Sequence, residues 1–296
     1  MERNKQVRVT LIYVLILNWL VSVAKIIFGS WTKSSSMIAD GLHSFSDGSS
    51  NIVGLVGMHF ATQPIDKDHP YGHKKYETFF SQIIAIMLFL VCLSVIHSGL
   101  ERLKNPVIPD VNIYSFIVML VTIVINILVM VYEYSIGKKL NSDILVSDSM
   151  HTRADILTSF SVIVALISVK MGYHLIDAVG SLVIAGFIGY AAFNILRQSS
   201  HVLCDSAVID TLEIEKIVKN VEGVKTCHKI RTRGRQDDIF IDLHVLVKDD
   251  MHMSVAHDLS SRIEEVIKKR FPGVSDVVVH LEPVKSLKEE EDSGRI

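Results

Sequence analysis

Long apolar segments dominate the first part of the chain. Six of them, each long enough to cross a bilayer as a helix, cover residues 9–29, 36–62, 78–97, 113–137, 144–171 and 175–196. The second and fifth are the least hydrophobic, because each contains several polar residues. The pattern predicts an all-α membrane bundle of six transmembrane helices within residues 1–204.

A different pattern begins near residue 209. Helix, strand, strand, helix and strand periodicities follow one another over residues 212–221, 223–232, 239–248, 254–270 and 274–281. The order αββαβ predicts a three-stranded sheet backed by two helices, of the ferredoxin-like α+β type. We expect this cytoplasmic domain to occupy residues 205–284, and the charged residues 285–296 to form a disordered tail.

The composition agrees with a membrane protein. The 296-residue chain is 49% hydrophobic, with a mean hydropathy of +0.36, which favours a protein embedded in a lipid bilayer. A formal net charge of −2 argues against nucleic acid as a partner. The three cysteines form no CxxC pair, so neither a disulfide framework nor a thiolate zinc site is expected.

Basic residues between the apolar segments indicate the orientation. With the N-terminus inside, nine lie on the inner side: Arg3, Lys5, Arg8, Lys67, Lys74, Lys75, Lys138, Lys139 and Arg197. Four lie on the outer side: Lys33, Arg102, Lys104 and Lys170. Because cytoplasmic connections are enriched in Lys and Arg, we expect both termini in the cytoplasm.

One motif, D-x-x-H-x-x-x-D, occurs in both of the less hydrophobic segments. It comprises Asp40, His43 and Asp47 in the second, and Asp148, His151 and Asp155 in the fifth. Offsets of three and four residues put these groups on one face of each helix. A single membrane histidine is often a hydrogen-bonding residue between helices. Two matching copies with carboxylates, which are costly in hydrocarbon, favour a shared site for a divalent cation.

Two further groups of residues have metal-ligand chemistry. Asp66, His69 and His73 follow D-x-x-H-x-x-x-H in the loop after the second segment, where an ordinary solvated loop is the alternative and Asp68 a competing ligand. The predicted α+β domain contains His228, His244, His257, His280 and Glu282. His228 and His244 fall on adjacent strands, and His280 and Glu282 on one face of the third. Spacing alone is equally compatible with surface histidines.

These features together resemble the cation diffusion facilitators, a family of divalent-metal/proton antiporters. The likeness covers nearly the whole chain: six spans, motifs in the second and fifth, the His-rich inner loop and the αββαβ domain. Short phrases are similar too, such as Gly72-His73-Lys74-Lys75 and Arg270-Phe271-Pro272-Gly273. Two positions depart from the family pattern, since some bacterial members carry Asp in place of His43, and Asp is common in place of Glu282.

The resemblance implies specific sites. It implies a transport site of His43, Asp47, His151 and Asp155, and a loop site of Asp66, His69 and His73. It further implies a binuclear regulatory site at a homodimer interface, made by His228, His244, His257, His280 and Glu282. A charge interlock between Lys75 and Asp205 also matches the family. Asp40 and Asp148 fall outside the four ligands. We interpret them as groups that orient the imidazoles or, equally, as the lining of a water-filled vestibule.

We therefore expect a homodimeric antiporter of the cell inner (plasma) membrane that exports divalent metal from the cytoplasm in exchange for protons. Two imidazoles and two carboxylates favour Zn²⁺ as transported and regulatory ion, but Fe²⁺, Mn²⁺, Co²⁺ and Cd²⁺ accept the same donors. An enzyme is not expected, because the sequence lacks H-E-x-x-H or a similar open metal site with a general base. A membrane metal sensor without transport is the other alternative.

Overall fold

A computed structural model describes residues 2–31, 35–104, 113–170 and 174–284. The chain divides into two compact units, Met1–Ser200 and His201–Ile296. Six long helices come first: α1 (Glu2–Trp31), α2 (Ser35–Ala61), α3 (Lys75–Lys104), α4 (Ile113–Lys139), α5 (Asp143–Lys170) and α6 (His174–Leu203). The predicted all-α bundle is thus confirmed. Helices α1, α3, α4 and α6 extend beyond the apolar segments, because helical hydrogen bonding continues into the polar ends that hydropathy does not mark.

Within the part of the chain that the structure describes, four helical stretches are long and apolar enough to cross a membrane. They are Glu2–Phe28, Lys75–Glu101, Phe116–Lys139 and Leu182–Leu203. Helices α2 and α5, of 27 and 28 residues, are comparably long, and each carries a copy of the D-x-x-H-x-x-x-D motif.

Helix α2 packs closely against its neighbours through glycine. A Cβ atom on Gly54 would lie 2.8 Å from Cγ2 of Ile144, and one on Gly57 would lie 2.6 Å from Cβ of Phe80. Both distances are shorter than real side-chain contacts, so the approach of α3 and α5 to α2 requires residues without a side chain there.

Two clusters of buried apolar side chains hold the helices together. One comprises Val7, Leu11, Met58, Ile84, Ile144 and Leu145. The other comprises Ala85, Leu88, Cys92, Ala154, Ala185, Ile188, Ala192 and Ile195. The outer surface is apolar as well: Leu20, Leu128 and Phe187 are each more than 60% exposed. A surface of this kind is stable against lipid and unfavourable in water.

The second unit contains α7 (Thr211–Lys219), β1 (Thr226–Arg235), β2 (Asp238–Val247), α8 (Met253–Arg270) and β3 (Val274–Pro283). The sheet order is β1-β2-β3, with β1 antiparallel and β3 parallel to β2. This confirms the predicted αββαβ fold. Strand β1 begins three residues later than predicted, since Gly223 has a φ of +101° and Val224 N–H donates to the Val221 carbonyl in a turn.

The apolar core of this unit lies on one face of the sheet. Alternate residues of β2, such as Ile241, Leu243 and Val245, are fully buried in one cluster with residues of α7 and α8. Because successive strand residues point to opposite faces, His244 projects from the other face. The sheet therefore has one face covered by helices and one that carries histidines.

Candidate metal centres

The loop between α2 and α3 brings Asp66, His69 and His73 together. Asp66 Oδ1 lies 3.2 Å from His69 Nδ1, and Asp66 Oδ2 lies 3.4 Å from His73 Nε2. One donor atom from each residue can be chosen so that all three lie within 4.8 Å of one another. A metal ion could bind between these three donor atoms, in place of the present contacts between the carboxylate and the imidazoles. Ion binding there stays a prediction.

Backbone hydrogen bonds and a turn hold Asp66, His69 and His73 in this arrangement. The His69 N–H donates to Asp66 Oδ1 at 2.7 Å, and that bond, with weaker contributions from both imidazoles, lowers the pKa of Asp66. Gly72 has a φ of +84°, a conformation that favours glycine and turns the chain back so that His73 faces the other two residues. The His73 side chain is 3% exposed. Asp68 contributes its N–H to Asp66 Oδ1, and its carboxylate is not in the cluster.

A second cluster lies on the open face of the sheet. Glu282 Oε1 is 2.7 Å from His244 Nδ1, and Glu282 Oε2 is 3.3 Å from His228 Nε2. His228 and His244 face each other in the antiparallel register of β1 and β2, with ring centroids 5.4 Å apart. Two imidazoles and one carboxylate are thus close enough to supply three ligands to one metal ion, and ion binding there stays a prediction.

The remaining two residues predicted for this centre differ in position. His280 is 63% exposed, and its Nε2 lies 3.4 Å from Glu282 Oε1, so it borders the cluster. His257 lies exposed on α8, next to Ala256, which is buried. Helix α8 covers the opposite face of the sheet, so the fold of a single protomer does not bring His257 to the other four residues. Sequence spacing gives no information on which sheet face a helix covers.

In the membrane unit, His151 and Asp155 lie one turn apart on α5. His151 is 4% exposed, and neither ring nitrogen has a hydrogen-bond partner among the described side chains. Asp155 lines a polar cavity of about 20 Å³, enough for a water molecule. The cavity is also lined by Asn18, Val21, Ser44, Thr122, Asn126 and Thr152. Ser44 follows His43 directly in α2, so the motif regions of α2 and α5 face one cavity. The side chains of Asp40, His43 and Asp47 lie outside the described residues.

Asp148 is buried in a hydrogen-bond network that does not include the His151 ring. Asn51 Nδ2 donates to Asp148 Oδ2, and Asn18 Nδ2 donates to Asn51 Oδ1 at 3.1 Å. Ser50 also bonds to the Asp148 carboxyl. The His151 ring makes no hydrogen bond to Asp148, and Asp148 is 1% exposed. Its role, whether orienting the imidazole or lining a vestibule, stays a prediction. Its neutral hydrogen-bond partners Ser50 and Asn51 come from α2, because α2 and α5 cross there.

Glu133 is a polar residue of this region that our reading of the sequence missed. It lies on α4, is fully buried, and its carboxyl contacts that of Asp148. Thr152 Oγ1 donates to Glu133 Oε2 at 3.4 Å. A signal was present, because Glu133 is the sole carboxylate within the fourth apolar segment. Lys75 and Asp205 fall in the first and second unit respectively, and their interlock stays a prediction.

Comparison with known proteins identifies the family. Residues 11–204 match the cation efflux transmembrane domain, and residues 209–284 match the cytoplasmic domain of cation efflux proteins. An uncharacterised transporter of Methanocaldococcus jannaschii is 33% identical over 275 residues, which cover 92% of this chain and 96% of that protein.

Two further relatives have functional names. The manganese efflux system protein MneP of Bacillus subtilis is 27% identical, over 95% of this chain and 98% of its own. The cation-efflux pump FieF of Citrobacter koseri is 28% identical, over 87% of this chain and 86% of its own. Family members are transporters and not enzymes. On this evidence the chain belongs to the cation diffusion facilitator family.

Proposed function

We propose that this protein exports divalent metal cations, Zn²⁺ foremost, from the cytoplasm in exchange for protons. One observation carries the proposal: Ser44 of the first motif and Asp155 of the second line the same polar cavity, beside a buried His151 whose ring nitrogens have no described partner. A buried imidazole without a hydrogen bond is unfavourable unless a ligand completes it. We assign His43, Asp47, His151 and Asp155 as the ligands of the transported ion.

Histidine accounts for the exchange with protons. A metal ion binds only the neutral imidazole, so its arrival from the cytoplasm displaces any proton on His43 or His151. On the outer side, a higher proton concentration competes the ion off the same nitrogens. The protein needs no nucleotide for this cycle, and the sequence contains no G-x-x-x-x-G-K-[ST] phosphate-binding motif.

The chemistry of the four proposed ligands is the reason for proposing zinc. Two imidazoles and two carboxylates form a compact tetrahedral shell, which zinc prefers. The name of the Bacillus subtilis relative refers to manganese, which favours oxygen donors and more of them. Fe²⁺, Mn²⁺, Co²⁺ and Cd²⁺ are therefore the alternatives as main substrate.

The two solvent-side clusters have a separate proposed role. Asp66, His69 and His73 bind metal at the loop, and His228, His244, His280 and Glu282 bind regulatory metal in residues 205–284. We assign dimerisation to this cytoplasmic domain, with His257 reaching the metal centre in the dimer. A Lys75–Asp205 ion pair joins the domain to the membrane part. Both termini are cytoplasmic, and the membrane is the cell inner membrane.

Purified protein in sealed vesicles tests the main proposal. An imposed pH gradient should drive uptake of Zn²⁺ in preference to Mn²⁺, Fe²⁺, Co²⁺ and Cd²⁺, measured with a metal-sensitive dye inside the vesicles. Collapse of the gradient with a protonophore should stop uptake. Metal binding without flux under either condition would identify a sensor and contradict transport.

A further inference from the structure

Two buried carboxyl groups meet between α4 and α5. Glu133 is 0% exposed and Asp148 is 1% exposed. Their side chains are within hydrogen-bonding range of each other. Glu133 Oε1 is buried and has no hydrogen-bond donor among the described residues, whereas Oε2 accepts from Thr152 Oγ1. A buried carboxyl oxygen without a donor, next to a second carboxyl, indicates that a positively charged ligand belongs there.

The neighbouring groups do not provide that positive charge. Helix α2 contributes Ser50 and Asn51, which are neutral hydrogen-bond partners of Asp148. Helix α1 contributes Asn18, which contacts Asn51. On α5, Thr152 is neutral, and His151 is the other titratable group that acts on Asp148. Neither carboxyl has a lysine or arginine partner in the described part of the chain.

Two ionised carboxylates cannot remain in contact at such a site. Each would lose its hydration, and their mutual repulsion would be weakly screened. Carboxyl pairs of this kind elsewhere share one proton. A proton on one oxygen removes the repulsion and gives the two carboxyl groups a hydrogen bond, because the protonated carboxyl donates to the ionised one.

We propose that Glu133 and Asp148 together bind one proton in the metal-free protein, in a hydrogen bond that links α4 to α5. The pair is distinct from the four proposed metal ligands, so this site goes beyond the transport site. Asp148 is the ionised partner, since Ser50 and Asn51 already stabilise its charge, and Glu133 holds the proton. When the O–H bond breaks and the proton passes to water, two carboxylates face each other and repel each other.

Infrared difference spectroscopy of the metal-free protein tests this directly. Titration from neutral to alkaline pH should remove the carbonyl stretch of one protonated buried carboxyl. Glu133→Gln should lack that band, because Asp148 stays ionised beside a neutral amide. The matched control is Glu101→Gln, which removes an exposed carboxyl at the end of α3 and should retain the band. An unchanged band in Glu133→Gln would overturn the proposal.

Two further measurements keep the test decisive. If Glu133→Gln does not fold, Asp148→Asn should retain the band at a shifted frequency, because the partner of Glu133 becomes an amide; an unshifted band would count against the pair. Loss of about one bound Zn²⁺ per chain in Glu133→Gln, against Glu101→Gln, would show a metal site and overturn the proton site. The infrared test requires no transport, so absence of metal flux would overturn the proposed function alone.

Discussion

Glu282 on β3 reaches back along the sheet to His244 on β2, with Oε1 2.7 Å from Nδ1. In the parallel register His244 lies opposite His280, and Glu282 lies opposite Leu246. The contact is therefore diagonal, and the long glutamate side chain spans it. The second oxygen of the same carboxylate lies 3.3 Å from His228 Nε2 on β1. One residue thus links the imidazoles of two strands.

We expect Glu282→Gln to remove most of the zinc-induced stabilisation of the protein. The amide contributes a weaker ligand, and each tenfold loss in affinity reduces stabilisation by about 1.4 kcal/mol at saturating metal. The measurement is the shift in melting temperature on adding Zn²⁺ to the full-length protein. His257→Ala is the informative comparison: an equal loss there would indicate that the ligand comes from a second protomer. A full zinc shift in Glu282→Gln would refute the cluster as a metal centre.

Asp155→Ala and Asp47→Ala should each abolish metal flux in vesicles. Each change removes one of four proposed ligands, while folding should be little affected because a costly charge leaves the membrane region. Arg153→Ala is the matched control, since Arg153 lies on the same turn of α5 and is exposed. Substantial flux in either aspartate variant, at normal protein levels, would contradict the assignment of four ligands.

His43→Asp should loosen selectivity without stopping transport. A carboxylate is a harder donor that can bind through two oxygens, so ions that accept more oxygen ligands gain relative to Zn²⁺. The Mn²⁺ to Zn²⁺ flux ratio, measured at matched pH gradients, should rise above that of the unmodified protein. An unchanged ratio with undiminished zinc flux would mean that His43 is not a ligand.

Arg3→Leu should destabilise the membrane unit through a buried ion pair. Arg3 Nη2 lies 3.0 Å from Oε2 of Glu77, which is 2% exposed. Loss of the guanidinium removes this ion pair from a buried carboxylate, at a cost of about 3 kcal/mol. The double variant Arg3→Leu/Glu77→Leu should recover much of this loss. Denaturation in detergent measures both, with exposed Lys5→Leu as control; equal stability of Arg3→Leu and Lys5→Leu would contradict the expectation.

The loop around Asp66 should contribute stability that disappears in acid. The His69 N–H lowers the pKa of Asp66 below its ordinary value of 3.8. The contribution is therefore fully present above pH 3.8 and is lost as pH falls through the lower, folded-state pKa. The melting temperature of the metal-free protein should exceed that of Asp66→Asn at neutral pH, and the difference should shrink only in strong acid. A difference already lost above pH 3.8 would be inconsistent with the hydrogen bond.

The periodicity of apolar residues was sufficient to predict the helices and strands, because it indicates which residues of each element are buried. From Asp238 to Val245, strand β2 alternates less buried and buried residues, and its position and its open face follow from that alternation. Helix ends were less predictable. Helix α1 begins at Glu2 and not at residue 9, since Arg3 bonds to the Leu140 carbonyl at 2.7 Å and keeps that polar turn ordered. Hydropathy contains no information about such a partner 137 positions away.

Among the candidate sites, too, spacing alone could predict only those made of residues close in sequence. Asp66, His69 and His73 are close in sequence, and one turn at Gly72 is enough to assemble them, so their spacing predicted the cluster. Glu133 is 15 positions from Asp148, on another helix, and no periodicity links the two residues. Likewise, His257 lies on α8, which covers the sheet face opposite to the other four residues of the predicted centre, and the sequence did not indicate which face that helix covers.

The sequence by itself determined the helical bundle, the αββαβ domain, the repeated motif and, through them, the family. These follow from local periodicity and spacing, which act within a few residues along one helix or strand. Only the tertiary structure decided which side chains share a site: that Glu282 contacts both His228 and His244, that Asp148 pairs with Asn51, and that Glu133 meets Asp148. The reason is physical, because such contacts depend on how helices cross and strands register, and these depend on the packing of the whole unit.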